Sequence, residues 1–350
     1  MTEKHYMRVL PMPGKLTDLE NIPEEELLST RICDLPLKVE GSWLEECIKD
    51  VYRELDQREI IFKPACYLAD EWLTPDGEPV VGIPFYLAHP VLMKIEKKMM
   101  LDVEGETKEW CLMLIRHEIG HAINYAYRLY KKKKWQRIFG SFKKEYKDTY
   151  RFRPYSRNFV RHLEDYYAQY HPDEDFAETF SVWLNPESDW ESQYRGWNAL
   201  NKLRYVEELM KEIRNRPPAV SKGKKYWEAS RMKQTLKNYY KRRKDFHAED
   251  FPDFHDANLK EIFIEKISRE QLPAYKVIKK YRADIITSVF NWTGERKYVI
   301  DDLLKKLIRR CRELRLVVSR TESHAVLKIS VYVTTLIMNY LHTGRMRLKK

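Results

Sequence analysis

The sequence predicts an α+β fold in which a first lobe with a small mixed sheet is followed by a mostly helical lobe. Two stretches, 60–68 and 79–87, are rich in β-branched and aromatic residues, which favours strands. Elsewhere the apolar residues recur at the three- and four-residue spacing of helices that bury one face. Strands confined to one half of the chain, with helices in both halves, are typical of an α+β protein.

A proline-rich break divides the chain. Arg216-Pro-Pro-Ala219 interrupts the helical pattern, and paired prolines of this kind mark loops. We expect an N-terminal arm at 1–40, where prolines and glycine leave little periodicity. The other two units are a first lobe at 41–215 and a basic helical domain at 216–350.

Helices are predicted wherever apolar residues recur at helical spacing, in chain order at 43–55, 92–100, about 107–130, 172–184, about 199–213, 303–311 and 326–341. The helix at 172–184 also has a clear start. Pro172 is followed by acidic residues, and proline is tolerated in a first turn while carboxylates favour the positive end of the helix dipole.

The helix at 107–130 contains His117-Glu118-Ile119-Gly120-His121. Side chains four residues apart lie on one helical face, so both imidazoles can bind a single tetrahedral Zn²⁺, with Glu118 beside its fourth position. Only three letters of the pattern are fixed, and the alternative is an ordinary helix with two structural histidines. The apolar flanks and the second motif below favour the metal site.

The helix that begins at Pro172 offers a third ligand. Glu174 and Glu178 are four residues apart and share a face. One can bind the metal, while the other accepts the free N–H of a ligating histidine and so fixes its tautomer. We expect Glu174 to be the ligand and Glu178 the acceptor. The reverse assignment stays open, and a solvated acidic face is the alternative for both.

These two motifs carry a family resemblance. H-E-I-G-H followed by D-E-D-F-A-E-T-F resembles the gluzincin clan of zinc peptidases, in which H-E-x-x-H is paired with a downstream E-x-x-x-D or E-x-x-x-E helix. With Pro84-Phe-Tyr-Leu-Ala-His-Pro90 they are similar to a bacterial family described as putative zinc-binding metallopeptidases. The likeness extends over most of the chain, including its basic C-terminal part.

The resemblance implies a zincin-like first lobe and peptidase chemistry, but no particular substrate. By motif it implies that His117, His121 and Glu174 bind Zn²⁺ and that Glu118 is the general base. A metzincin would need glycine and histidine where this chain has Asn124 and Tyr127, so that class is excluded.

Such a site would hydrolyse a peptide or amide bond. Three protein ligands leave a fourth position for water, whose pKa zinc lowers to near neutrality, and Glu118 would transfer its proton to the leaving amine. The oxyanion needs a second donor, for which Tyr167, seven residues before Glu174, is our candidate. The competing donors, for each of which packing is the alternative role, are Tyr166, Tyr170, His171 and His162.

Zincins also bind substrate as an added strand on an exposed sheet edge. The candidate is the strand at 79–87, which follows a turn at Thr74-Pro-Asp-Gly77. Pro84 favours an edge position because it cannot donate to a ladder. The alternative is a purely structural edge.

The charge is unevenly divided along the chain. The net charge is +11, and residues 201–350 contain 36 Lys and Arg against 18 Asp and Glu, so the first 200 residues are acidic. Residues 222–244 mix basic with aromatic side chains, as surfaces for nucleic acid or an acidic partner do. The alternative is a solvated basic helix face.

The cysteines argue for a reducing compartment. All five are scattered and form no C-x-x-C pair, which argues against a disulfide framework and a cysteine zinc site. No apolar signal segment follows Met1, and the longest apolar run, Ile329 to Leu341, is too short to span a bilayer. We expect a cytoplasmic protein that does not bind membranes.

Three functions of different classes fit the sequence. The first is a zinc metallopeptidase or amidase acting on a peptide or protein; no G-x-M-E-N-like motif supports an aminopeptidase. The second is a nucleic-acid-associated or partner-binding protein whose basic C-terminal lobe carries the interaction. The third is a metal-dependent scaffold. Glu118 argues against it, because a structural site closes its fourth position with protein.

Overall fold

The computed structural model describes residues 19–146, 153, 156–245, 255–265 and 271–343. Residues 1–18 of the predicted N-terminal arm lie outside this range. The predicted α+β class is confirmed, because many helices accompany two small sheets.

The helices are numbered in chain order: α1 (Glu24–Ser29), α2 (Trp43–Gln57), α3 (Pro90–Met100), α4 (Lys108–Ala126), α5 (Lys133–Phe139), α6 (Pro172–Leu184), α7 (Trp190–Gln193), α8 (Ala199–Ile213), α9 (Leu236–Asp245), α10 (Asp256–Ile262), α11 (Ala274–Lys280), α12 (Arg282–Thr293), α13 (Lys297–Glu313) and α14 (Glu322–Thr343). The motif helix, α4, is shorter than predicted. It ends at Ala126, and α5 follows after a short turn.

Two pairs of strands form the sheets. The first pairs β1 (Ala65–Ala69) with β2 (Val80–Pro84) in parallel, and Tyr67 lies opposite Gly82. The second, antiparallel, pairs β3 (Ile264–Glu265) with β4 (Leu316–Val317). Both predicted strands of the first lobe therefore exist, with narrower limits.

The prediction that β2 offers an open edge is wrong at its centre. Leu73 pairs antiparallel with Gly82 through two backbone hydrogen bonds of 3.2 and 2.8 Å. Glu228 forms a bridge with Ala69 on β1. The chain after β1 thus folds back along β2. Pro84 is the last residue of β2, so its missing N–H does not interrupt the pairing within the strand.

The pairing of α4 with α6 forms the centre of the first lobe. Thr107 caps α4 by accepting a hydrogen bond of 3.3 Å from the Trp110 N–H. A Cβ on Gly120 would lie 3.0 Å from the Ala177 Cα and 3.1 Å from the Phe180 ring. The glycine within the H-E-x-x-H sequence therefore allows the two helices to approach closely, which brings their functional faces together.

The start of α6 is held by a capping histidine. His171 Nδ1 accepts a hydrogen bond of 3.1 Å from the Asp173 N–H. Its other nitrogen, Nε2, lies 2.6 Å from the Lys144 carbonyl and donates to it. Pro172 occupies the first turn. Every residue of α6 is buried, so this helix is enclosed by the lobe.

A buried ion pair joins α8 to α6. Lys202 Nζ lies 2.6 Å from Asp175 Oδ2 and 4.0 Å from the centre of the Phe159 ring. Burial raises the pKa of Asp175, and Lys202 only partly offsets this, so that the pKa is about 7. The pair fixes α8 against the side of α6 that faces away from α4.

The segment 216–235, here called the strap, packs on the first lobe although the sequence assigns it to the second. The Val220 N–H donates to the Ala126 carbonyl at 2.9 Å, and the Tyr226 N–H donates to the Tyr67 hydroxyl at 3.1 Å. Arg243 on α9 also bonds Glu96 on α3 at 2.8 Å. These contacts favour a boundary after α9, while the boundary at 216 stays a prediction.

Helices α10 to α14 pack mainly against one another. The contacts between this bundle and the first lobe include those of α13 with α3 and the bond of 3.2 Å between Lys297 and Asp102. Of the helices within the described ranges, none combines the length and apolarity that crossing a bilayer requires.

Candidate metal centre

Three side-chain atoms from α4 and α6 converge on one point. His117 Nε2 and His121 Nε2 lie 3.1 Å apart, and Glu174 Oε2 lies 3.0 Å from the first and 3.1 Å from the second. All three residues are buried, with 3 to 6% of each exposed. Within the described residues, this is the group of histidine, cysteine and acidic side chains that could hold a metal ion.

The hydrogen bonds of the two Nδ1 atoms determine the tautomers of His117 and His121. His117 Nδ1 lies 2.8 Å from Glu178 Oε1, and His121 Nδ1 lies 2.9 Å from Asp173 Oδ2. A carboxylate accepts only, so each Nδ1 carries the proton and donates. When the histidines are neutral, both Nε2 atoms present lone pairs to each other and to Glu174. The three atoms then repel one another unless a cation lies between them, either a metal ion or a proton bound to a histidine.

The triangle of acceptors has the size expected for zinc. A regular tetrahedron with metal–ligand distances of about 2.0–2.1 Å has edges of about 3.3–3.4 Å. The observed edges of 3.0 to 3.1 Å need only a small expansion to reach that value. Two imidazoles and one carboxylate are also a donor set that suits zinc. The residues present therefore fit the ion.

Glu174 and Glu178 differ in what they contact. Glu174 Oε2 faces both Nε2 atoms, whereas Glu178 Oε1 contacts Nδ1 of His117. The second oxygen of Glu178 accepts a hydrogen bond of 2.9 Å from the Leu163 N–H. This geometry favours Glu174 as the ligand and Glu178 as the residue that orients His117.

A second orienting carboxylate, Asp173, was not predicted from the sequence. Its Oδ2 accepts hydrogen bonds from His121 and from the Tyr125 hydroxyl at 2.5 Å, and its Oδ1 accepts one of 2.7 Å from Asn124. The sequence alone indicates only that Asp173 is one of the acidic residues at the start of the helix. A signal did exist, because Asn124 and Tyr125 follow His121 by three and four residues and share its face.

The electrostatics of the pocket favour a bound cation. Burial lowers the pKa of His117, but Glu174 and Glu178 outweigh it and raise the pKa to about 9. Burial likewise lowers the pKa of His121, and Asp173 and Glu174 raise it well above its usual range. Burial raises the pKa of Glu174, yet the two histidines bring it far below its ordinary value. Metal binding at this site should therefore release protons.

Glu118 lies next to the two histidines on α4 and is 7% exposed. Its Oε2 has no hydrogen-bond partner among the described residues, which is unusual for a buried carboxylate. Burial raises its pKa above the ordinary value for glutamate. The backbone carbonyl of Glu118 accepts a hydrogen bond of 2.9 Å from Thr74, so the turn before β2 lies against this part of α4.

Tyr167 lies beside the pocket. Its ring centre is 5.6 Å from that of His117, and burial raises the pKa of its hydroxyl well above the ordinary value. Two of the competing donors have other partners. His162 Nε2 donates to the Met113 carbonyl at 3.0 Å, and His171 uses both nitrogens at the start of α6.

The two other tyrosines contact side chains outside the group of His117, His121 and Glu174. The guanidinium of Arg161 lies 5.8 Å from the centre of the Tyr166 ring, and the Tyr170 ring packs on those of Tyr146 and Tyr167. The Tyr167 assignment stays a prediction.

Tyr146 reaches the site from the segment between α5 and α6, to which the sequence assigns no helix or strand. Its hydroxyl donates a hydrogen bond of 3.0 Å to Glu174 Oε1, and its ring stacks on His171 with a centre distance of 3.9 Å. A loop residue has no fixed spacing from the helices it contacts, so periodicity could not have found it.

Part of the basic excess of the C-terminal half is used within the fold. Arg310 bonds Asp256 at 2.6 Å, and Lys305 bonds the buried Asp301 at 2.6 Å. The strap carries exposed lysines beside Trp227, which is 60% exposed. Binding of nucleic acid or an acidic partner by this half stays a prediction.

Comparison with known proteins gives a match over the part of the chain that contains α4 and α6. Residues 97–212 match the model of a family described as "Putative zinc-binding metallo-peptidase". No curated protein and no solved structure matches the chain. The family resemblance expected from the sequence is thus confirmed over this range and not over the rest of the chain. The segment that contains His117, His121 and Glu174 is therefore similar to the family that carries this description.

Proposed function

We propose that the protein is a zinc-dependent peptidase or amidase that hydrolyses a bond in a peptide or protein. One observation carries the proposal: three ligand atoms within 3.1 Å of one another lie beside the buried carboxylate of Glu118, one oxygen of which has no hydrogen-bond partner among the described residues. A purely structural zinc site has no use for such a carboxylate. The family match over residues 97–212 supports the same class of reaction.

His117, His121 and Glu174 would hold the ion. A bound zinc ion would supply Lewis acidity, which lowers the pKa of a water molecule and polarises a substrate carbonyl. Glu178 and Asp173 hold the Nδ1 protons of the two histidines, so that both Nε2 atoms remain available as ligands.

We propose Glu118 as the general base. Its carboxylate is buried, and that burial raises its pKa above the ordinary value for glutamate, which favours a group that must both accept and release a proton. It would take the proton of the attacking water and deliver it to the leaving amine. Thr74 bonds the backbone carbonyl of Glu118, and Oε2 of the carboxylate has no hydrogen-bond partner among the described residues.

We propose Tyr167 as the donor that stabilises the oxyanion. Its ring lies against that of the candidate ligand His117, which puts the phenol at the rim of the same pocket. Burial keeps the hydroxyl protonated by raising its pKa, and a protonated hydroxyl is what the role requires.

Location of the protein in the cytoplasm stays a prediction.

The test is hydrolysis of quenched fluorescent casein by the purified full-length chain, with 1,10-phenanthroline and with added Zn²⁺. We expect cleavage that the chelator abolishes and that Zn²⁺ restores, because the ligand set is incomplete as a catalyst without its metal. Cleavage that persists in excess chelator would contradict the proposal. So would a zinc-loaded protein that cleaves neither casein nor a peptide library of mixed sequence.

A further inference from the structure

The two oxygens of the Glu174 carboxylate have different partners. Oε2 faces His117 Nε2 and His121 Nε2 at 3.0 and 3.1 Å, whereas Oε1 accepts the hydrogen bond of 3.0 Å from the Tyr146 hydroxyl. A carboxylate can bind a metal through one oxygen or through both. The hydrogen bond from Tyr146 commits one oxygen of Glu174 before any metal binds.

Tyr146 is held in place by the histidine that caps α6. The Tyr146 ring stacks on the His171 ring with an angle of 18° and a centre distance of 3.9 Å. His171 also donates to the Lys144 carbonyl, two residues before Tyr146, while it accepts from the Asp173 N–H. One neutral tautomer of His171 satisfies both bonds. The segment 144–146 is thereby fixed to the start of the helix that carries Glu174.

The exposure of Tyr146 differs from that of the residues it contacts. Half of its surface is exposed, while 5% of Glu174 and 3% of His171 are exposed. The phenol therefore reaches into the buried site from the solvent side. A loop residue that is used only for packing would bury its ring and leave its hydroxyl outside.

We propose that Tyr146 is a positioning residue that keeps Glu174 bound to the metal through a single oxygen. This proposal rests on the proposed zinc site. A single oxygen, together with two imidazoles, leaves the fourth tetrahedral position open for water and substrate. Without the phenol, Oε1 is free to turn toward the ion and occupy that position.

The test compares wild type with Tyr146→Phe in the full-length chain, each loaded with Zn²⁺ or with Co²⁺. The visible spectrum of Co²⁺ reports its coordination number, since four-coordinate ions absorb more strongly than five-coordinate ones. We expect Tyr146→Phe to hold the metal with a weaker, shifted Co²⁺ spectrum. On quenched casein we expect kcat to fall by about 10- to 100-fold with little change in KM.

The matched control is Tyr130→Phe. Tyr130 stacks on Phe142 and packs against Tyr125 in the same aromatic cluster, but its hydroxyl has no bond to Glu174. We expect a wild-type spectrum and kcat from this variant. Thermal unfolding of both variants shows whether the fold is retained.

Two results would overturn the inference while leaving the proposed function intact. One is a Tyr146→Phe protein with the wild-type Co²⁺ spectrum and kcat. The other is a folded Tyr146→Phe protein that has lost the metal, because the phenol would then hold Glu174 in place rather than select one of its oxygens. A wild-type protein that binds neither Zn²⁺ nor Co²⁺ would instead contradict the proposed function and this inference together.

Discussion

Glu118→Gln is expected to keep zinc and to lose hydrolysis almost completely. The amide has the shape of the carboxylate but cannot accept a proton, and a positioned general base contributes about 10²- to 10⁴-fold to rate. Glu118 is absent from the converging group of His117, His121 and Glu174, so the substitution should leave metal affinity nearly unchanged. The measurement is kcat on quenched casein together with zinc content of the same preparation.

Glu109→Gln is the matched control for this prediction. It makes the same chemical change in the first turn of α4, where Glu109 is exposed. We expect activity and zinc content close to wild type. A Glu118→Gln protein that is free of wild-type contamination and still hydrolyses casein at a similar rate would rule out Glu118 as the base.

Glu54→Ala is expected to destabilise the first lobe by about 3–5 kcal/mol, because it leaves a buried guanidinium without its partner. Arg116, next to the first histidine on α4, makes two hydrogen bonds of 2.8 and 2.7 Å to Glu54 on α2. Both residues are buried, with 7 and 8% exposed. The pair determines how α2 sits against the helix that carries the metal site. Urea unfolding measures the free energy directly.

Two further variants test whether the expected loss of stability comes from the buried, unpaired guanidinium of Arg116. Glu46→Ala removes an exposed partner of Lys49 on the same helix, and exposed pairs contribute only about 0–1 kcal/mol. Replacing both buried partners, as Glu54→Leu with Arg116→Met, removes the uncompensated charge and should recover much of the loss. If Glu54→Ala unfolds at the same urea concentration as Glu46→Ala, the buried pair does not stabilise the lobe.

The sequence predicted the elements whose geometry is local. The 3.6-residue period of a helix determines that His117 and His121 share a face, and that Glu174 and Glu178 do so too. Helix α8 begins and ends at the predicted residues for the same reason, because its apolar stripe is regular over its whole length. These features depend on spacing alone and need no knowledge of tertiary packing.

The features that the sequence did not predict depend on contacts between distant segments. Which face of α6 meets α4 is determined by the close approach of Gly120 to Ala177, and only that rotation brings Asp173 to His121. The return of Leu73 along β2 is likewise a tertiary pairing. Tyr146 reaches Glu174 through a loop whose course no periodic pattern encodes.

The most direct test of the metal site is zinc content by elemental analysis, on proteins purified without added metal. The set comprises wild type, His121→Ala, Glu174→Ala and Glu178→Ala. We predict about one zinc per wild-type chain, as a three-ligand site requires, its loss in the first two variants, and partial retention in Glu178→Ala. Wild-type protein that contains no zinc, even after incubation with Zn²⁺, would contradict the account.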